Sequence, residues 1–272
     1  MKKVLCFSLL LLMCVTDATV AQVHKGIPQK EDAQKTVKAK VTRGNVQIIE
    51  ATENIRYVSQ RLAKEYLFFY LNPENEKTHK DLYASLEILG KNLRAISMVT
   101  KDEDTQDILE FLAYSKEEIS ALLAKKPAKD TVALMLDYSE TLLEGADSIG
   151  KTYAYDFSNE EKMLVSSKNI KFLLERIGKY YMALKLGYDT ENNKENMQAS
   201  IEALKRHFAR FDTYPYPEKL KETEVLLANL LASNIRVVTH EEQYFIPSLL
   251  LDSISFFEEK ADVLALYHSK NL

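Results

Sequence analysis

NIRYVSQRLAKEYLFFYLNPENEKTHKDLYASLEILGKNLRAI, residues Asn54 to Ile96, overlies NIKFLLERIGKYYMALKLGYDTENNKENMQASIEALKRHFARF, residues Asn169 to Phe211, without a gap. Eleven positions are identical, among them Arg61/Arg176, Lys64/Lys179, Tyr66/Tyr181, Ser85/Ser200 and Glu87/Glu202, and the apolar positions keep step between them. The chain is therefore a tandem duplication of a unit of ordinary domain size. Within each copy the second half of the stretch shows its period plainly. Leu82, Leu86, Leu89, Leu93 and Ile96 become Met197, Ile201, Leu204, Phe208 and Phe211. Spacings of four and three residues mark one buried face of a helix. The first halves run Ile48, Ile55, Leu62, Phe69 and Ile170, Ile177, Leu184, with Val58 and Leu173 filling the intermediate turns.

Two further periodic segments follow each stretch, at roughly 104–125 and 129–149, then 218–239 and 246–268. Leu134-Met135-Leu136-Asp137 is matched by Leu249-Leu250-Leu251-Asp252. Helix breakers punctuate the series: Asn72-Pro73, Lys126-Pro127, Gly145 and Gly150, Gly187, then Pro215 and Pro217. Pro247 suits the first turn of a last helix. Short connections make successive helices antiparallel, so the expected fold is all-α: two tandem up-down-up-down four-helix bundles, eight helices in all. Copy one spans 45–150 and copy two 151–272. Seven Gly and six Pro in 272 residues leave little material for the tight turns of an all-β protein.

Residues 1–21 have the pattern of a signal peptide. Lys2 and Lys3 precede an apolar run from Val4 to Val15, and Thr19-Val20-Ala21 supplies small residues for cleavage before Gln22. The run is shorter than the roughly 20 residues a spanning helix needs, and no later segment serves. The expected location is periplasmic or secreted, with no transmembrane segment in the mature chain. Lipid attachment through Cys14 is disfavoured by the bulky Met13 before it. Both cysteines, Cys6 and Cys14, fall inside this segment, leaving no thiol for a disulfide, a metal or a nucleophile. Residues 22–44 carry six basic and two acidic side chains and read as a flexible basic leader. The chain as a whole has a formal charge of -4. With residues 1–44 basic, the body that follows is acidic, which argues against nucleic acid as a partner.

In an antiparallel hairpin, residues equidistant from the turn sit at one height. With the turns centred near Glu74 and Asp189, Arg61 is level with Glu87 and Arg176 with Glu202, two structural ion pairs retained in both copies. Ala63 is level with Ser85 and Gly178 with Ser200, which predicts a close helix crossing.

No enzymatic constellation emerges. His24, His79, His207, His240 and His268 lack repeated partners. Glu76-Lys77-Thr78-His79 has the spacing of one di-iron motif, but copy two reads Glu191-Asn192-Asn193-Lys194, and a di-iron bundle needs two such motifs. His240-Glu241-Glu242 lacks the second His of a zinc helix. There is no Gly-rich phosphate loop, and Ser59 has no His or Asp placed to activate it. The aromatic series Tyr66, Phe68, Phe69 and Tyr70 falls at core and rim spacing. No catalytic residue, metal ligand or cofactor is expected, and the protein reads as a non-enzyme.

Residues Ile55-Arg56-Tyr57-Val58-Ser59-Gln60-Arg61-Leu62-Ala63-Lys64-Glu65-Tyr66-Leu67 carry the pattern R-x-x-S-Q-R-x-A-K-x-Y-L. It resembles the N-terminal sensory domain shared by the type IV pili chemotaxis transducer PilJ and the nitrate/nitrite sensor NarX. Copy two keeps the second Arg, the Lys and the Tyr and loses Ser-Gln. The resemblance implies an extracytoplasmic four-helix bundle, dimeric in family sensors, that in the nitrate-sensor branch binds a small oxyanion through the first Arg of the motif. That role carries over to Arg56, with Lys171 at the matching place in copy two. The height rule adds Asn92 beside Arg56 and His207 beside Lys171. A guanidinium offers paired planar donors to a planar oxyanion where an ammonium is a point charge, which favours copy one. Glu53 and Asn54 stand where the family has a small residue, and the family's transmembrane helices and transmitter are missing. Two readings follow: a sensor-like module that binds a small oxyanion and acts through a protein partner, or a structural or adaptor module of the cell envelope with no small ligand. An Arg56 lined by free donors favours the first; an Arg56 neutralised by Glu53 favours the second.

Overall fold

Five of the helices start where a side chain satisfies an exposed backbone N–H group of the first turn. Thr42, Asn75, Asp102, Ser158 and Thr190 accept from the backbone N–H three residues on and open α1 (Arg43–Leu71), α2 (Glu76–Ser97), α3 (Glu103–Leu123), α5 (Asn159–Lys185) and α6 (Glu191–Asp212). Ser158 and Glu161 close a reciprocal capping box. The remaining helices are α4 (Lys129–Thr152), α7 (Glu218–Thr239) and α8 (Pro247–Lys270), the last with Pro247 in its first turn. Gly187 ends α5 in the left-handed region at φ 86°, and the N–H groups of Gly187 and Tyr188 return to the carbonyls of Leu184 and Ala183. A computed structural model describes residues 42–188, 190–239 and 245–272. The signal segment, the leader up to residue 41, Asp189 and His240 lie outside the described residues.

The architecture is all-α, as the periodicity predicts. In the first four helices, α1 packs on α2 and α4, and α3 packs on the same two; in the second four, α5 packs on α6 and α8, while α7 lies on α8 and more narrowly on α6. The predicted α2 face is buried at Leu82, Leu86, Leu89, Leu93 and Ile96. In α6, Ile201, Leu204, Phe208 and Phe211 are buried and Met197 is half-buried. Gly145 and Gly150, expected as breakers, lie inside α4. Gly145 stands there because a Cβ would come within 2.6 Å of Leu112 on α3.

The two bundles are joined directly. α1 packs on α5 as extensively as on its own bundle partners, and the buried apolar residues of both halves form one continuous cluster. Asn169 and Phe172 meet Arg56, Lys171 meets Tyr57, and Glu175 and Gly178 meet Lys64. The numbers climb together on both helices, so α1 and α5 run parallel with their repeat-equivalent residues nearly in register. All eight helices belong to a single compact unit.

The height-based pairs do not form. Arg61 binds Glu65 at 2.7 Å and the Tyr57 hydroxyl at 3.2 Å, while Glu87 is exposed and binds Lys91 at 2.7 Å. In copy two, Arg176 binds Glu140 of α4 at 2.9 Å and Glu202 binds Lys205 at 2.9 Å. Height fixes a residue along the helix axis but not its rotation about it; both arginines turn away from the exposed faces that carry Glu87 and Glu202. Ala63 and Ser85 are both buried. Gly178, in contrast, is small for Ile254 of α8 and Lys64 of α1, not for Ser200, whose hydroxyl bonds the Asn196 carbonyl of its own helix.

Candidate functional site: the seam between the bundles

The α1–α5 seam carries charged and polar side chains along its length. Three polar clusters follow one another along it. At the first, Arg56 directs one terminal nitrogen to Glu53 Oε1 and Oε2 at 3.0 and 2.9 Å and to Asn169 Oδ1 of α5 at 2.8 Å. Its Nε lies 2.8 Å from Asp147 Oδ1 of α4, an ion pair without an aligned hydrogen bond. The guanidinium plane rests 4.4 Å from the centre of the Phe172 ring. Burial raises the Glu53 carboxyl above its ordinary range, with Arg56 pulling the other way. Arg56 thus ties α1 to α4 and α5, and its charge is matched by two carboxylates.

The other residues expected to share an oxyanion with Arg56 are dispersed. Lys171 gives both of its contacts to Asp262 of α8, at 2.9 and 2.8 Å, and lies 5.3 Å over Tyr57. It lines a cavity of about 330 Å³ with Lys168, Glu53 and Asp262, where two ammonium groups face two carboxylates. Asn92 donates to the Ile88 carbonyl and accepts from Asn54. His207 lies 3.4 Å from Ser166 Oγ. Its pKa is lowered to about 4, first by burial and then by the guanidinium groups of Arg210, Arg56 and Arg206, so near neutral pH it is an uncharged imidazole. The structure does not bring the four into one donor set.

In the second cluster Lys179, with no exposed surface, donates to Ser139 Oγ at 3.1 Å and pairs with Glu140 of α4, which also binds Arg176. Gln60 of α1 donates to the Ser139 carbonyl at 3.3 Å from the other side. Burial lowers the Lys179 pKa to about 8 against the pull of Glu140. Although burial works against it, Glu140 sits below the usual carboxylate range because both cations face it.

The third cluster repeats this arrangement around Lys64. Its ammonium lies 2.6 Å from Glu175 Oε2 of α5, and both side chains are almost completely buried. Tyr57 donates to Glu258 Oε2 of α8 at 2.9 Å, Arg61 holds Glu65, and Ser85 of α2 donates to Glu65 at 3.2 Å. Lys64, Glu65, Arg61, Glu175 and Glu258 all border a cavity of about 260 Å³. These residues were not expected to form a site. Lys64 and Lys179 did carry a signal, since a lysine retained in both copies amid apolar neighbours is a candidate for a fixed buried role.

Comparison with protein families, with curated proteins and with solved structures returns no match. The likeness to the PilJ/NarX sensory family rests on residues 55–67. Among the described residues, no helix is long and apolar enough to cross a membrane, and no group of three His, Cys, Asp or Glu side chains is placed to hold a metal ion.

Proposed function

We propose that the protein is a non-enzymatic helical module of the cell envelope that works through a protein partner, and that the Arg56 position serves as a strut between its bundles. The observation that carries this reading is the neutralised guanidinium. An oxyanion at Arg56 would meet Glu53 and Asp147 already in place, and like charges at contact distance in a half-buried setting oppose its entry. The N-terminal pattern of residues 1–21 supports an extracytoplasmic location. Phe111 and Tyr114, well exposed on α3, supply the aromatic surface typical of protein contacts.

Differential scanning calorimetry with nitrate and nitrite, on the full chain and on Arg56→Ala, tests it. A ligand present at a hundred times its dissociation constant adds about 2.7 kcal/mol to stability, which is easily read as a shift in Tm. The expected result is no shift with either anion in either protein, and a lower Tm for Arg56→Ala corresponding to about 2 kcal/mol, because Glu53 is left half-buried beside Asp147 without its cation. A nitrate-dependent rise in the parent chain that disappears in Arg56→Ala restores the sensor reading.

A further inference from the structure

Leu249, Phe256, Val263 and Leu266 of α8 are 59, 42, 40 and 56% exposed. The first three recur every seven residues, two helical turns less about 20°, so they fall almost in line along the helix. Leu266 continues the adjacent line, seven residues on from Glu259 and twice that from Asp252. Single exposed apolar residues are ordinary, but four of them along about 26 Å of one helix make a stripe long enough for a second helix to cover. The fold does not require it. At the repeat-equivalent positions of α4, Leu134 matches Leu249, but Thr141, Ser148 and Lys151 stand where α8 has Phe256, Val263 and Leu266. The buried positions, by contrast, are apolar in both helices, as at Met135/Leu250, Leu142/Phe257 and Ile149/Leu264. A bundle of this pattern therefore closes with polar side chains on that face, and the apolar ones of copy two serve a contact outside it. The bordering acids Asp252, Glu259 and Asp262 recur in copy one as Asp137, Glu144 and Asp147, so the apolar stripe is what sets α8 apart.

Charge decides what covers the stripe. Between Leu249 and Leu266 the accessible charged residues are Asp252, Glu259, Asp262 and one cation, Lys260. Lys260 binds Glu259 at 2.7 Å and lies 4.9 Å over the Phe256 ring, and Asp262 holds Lys171. A second α8 laid on the stripe sets acid against acid: Asp252 falls near Glu259 of the other chain in an antiparallel pair, and each acid near its own equivalent in a parallel one. Anionic lipid headgroups meet the same repulsion. A helix whose apolar residues are bordered by Lys or Arg meets Asp252 and Glu259 with opposite charge.

We propose that the exposed face of α8 is the docking surface for a basic amphipathic helix of a partner protein, whose apolar residues cover Leu249, Phe256, Val263 and Leu266 and whose cations face Asp252 and Glu259. Such a surface rests on the reading that the module works through a protein partner, and it uses none of the Arg56 contacts.

Fluorescence anisotropy on the full chain tests it with two synthetic helices, one of leucine and lysine in heptad order and one with glutamate in place of every lysine. The deciding variant gives α8 the residues that copy one carries, Phe256→Thr, Val263→Ser and Leu266→Lys together. Expected are saturable binding of the lysine helix by the parent chain, at least tenfold weaker binding of the glutamate helix, and at least tenfold weaker binding of the lysine helix by the triple variant at a similar Tm. No binding of the lysine helix at about 100 μM overturns the proposal, as does equal binding by the triple variant. A parent chain that dimerises, or that binds phosphatidylglycerol vesicles, and loses that property in the triple variant assigns the stripe to a second copy or to lipid instead. Should the triple variant fail to fold, Asp252→Asn with Glu259→Gln decides on an intact stripe: affinity for the lysine helix should fall at least threefold, and an unchanged affinity removes the charge match. Failure in these titrations counts against α8 alone, whereas a nitrate-dependent Tm counts against the strut at Arg56.

Discussion

Lys179 keeps a formal positive charge on a side chain with no exposed surface, and it does so because Glu140 and Ser139 face its nitrogen, against burial and the like charge of Arg176. Desolvation still weighs against the charged form, and the pKa of about 8 lies well under the ordinary lysine value near 10.4. Between those two values the unfolded chain holds a proton that the folded chain has released. Stability therefore rises with pH through that window, and below about pH 8 the folded state carries the full desolvation cost. In Lys179→Met the rise should disappear. At pH 7 the variant should lie within about 1 kcal/mol of the parent chain, because Glu140 keeps Arg176 as its partner and a buried ammonium is replaced by an apolar chain of similar length. Urea unfolding of both proteins at pH 7, 8 and 9 measures the difference; a parent chain whose stability falls from pH 8 to 9 in step with the variant contradicts this account.

Helix positions were legible in the sequence because apolar spacing reports a helix's buried face and Pro73, Pro127, Pro215 and Pro217 report its ends. Rotation about the axis was legible only for faces that are wholly apolar. α1 and α5 each bury more than one stripe, and on the second stripe the burial falls on Gln60, Lys64, Glu175 and Lys179, residues whose type normally signals solvent. Their pairing across the seam depends on which helices meet, which no local pattern encodes. The same limit applies to glycine. Gly145 and Gly150 look alike in the sequence, yet a Cβ on Gly145 would stand 2.6, 2.9 and 3.0 Å from three side-chain carbons of Leu112, whereas on Gly150 its nearest neighbour is Thr52 Oγ1 at 3.5 Å. Gly→Ala in a helix interior ordinarily gains about 0.5–1 kcal/mol. Gly150→Ala should gain about that much. Gly145→Ala should lose about 1–2 kcal/mol, since Leu112 is fully buried and displacing it strains the α3–α4 contact. Thermal melts of the two single variants decide the matter, and Gly145→Ala melting above the parent would show that Leu112 yields freely.

At the scale of the whole molecule the duplication has produced two bundles that are no longer independent. α1 is buried by α2, α4 and α5, and α5 by α6, α8 and α1, so each half uses the first helix of the other as a wall of its core. Separating them would cut the apolar cluster they share and leave α1 presenting Lys64 without Glu175, Tyr57 without Glu258 and Gln60 facing a Ser139 that has lost Lys179. Exposed apolar area and unmatched polar groups both penalise the isolated half. Because α1 and α5 run parallel with equivalent residues nearly in register, the surface exposed on copy one is shaped to accept a second α1 in place of α5, with Gln60 of each chain opposite Lys64 of the other. Residues 42–157 expressed alone should therefore dimerise, weakly, since a neutral Gln60 stands where Glu175 balanced Lys64. Their melting temperature should lie below that of the full chain and rise with protein concentration, as it does for any fold whose stability is shared between subunits. Sedimentation equilibrium beside a concentration series of melts measures both properties. A half-chain that stays monomeric and melts at the temperature of the full chain would show that the seam joins two finished bundles and contributes nothing to either.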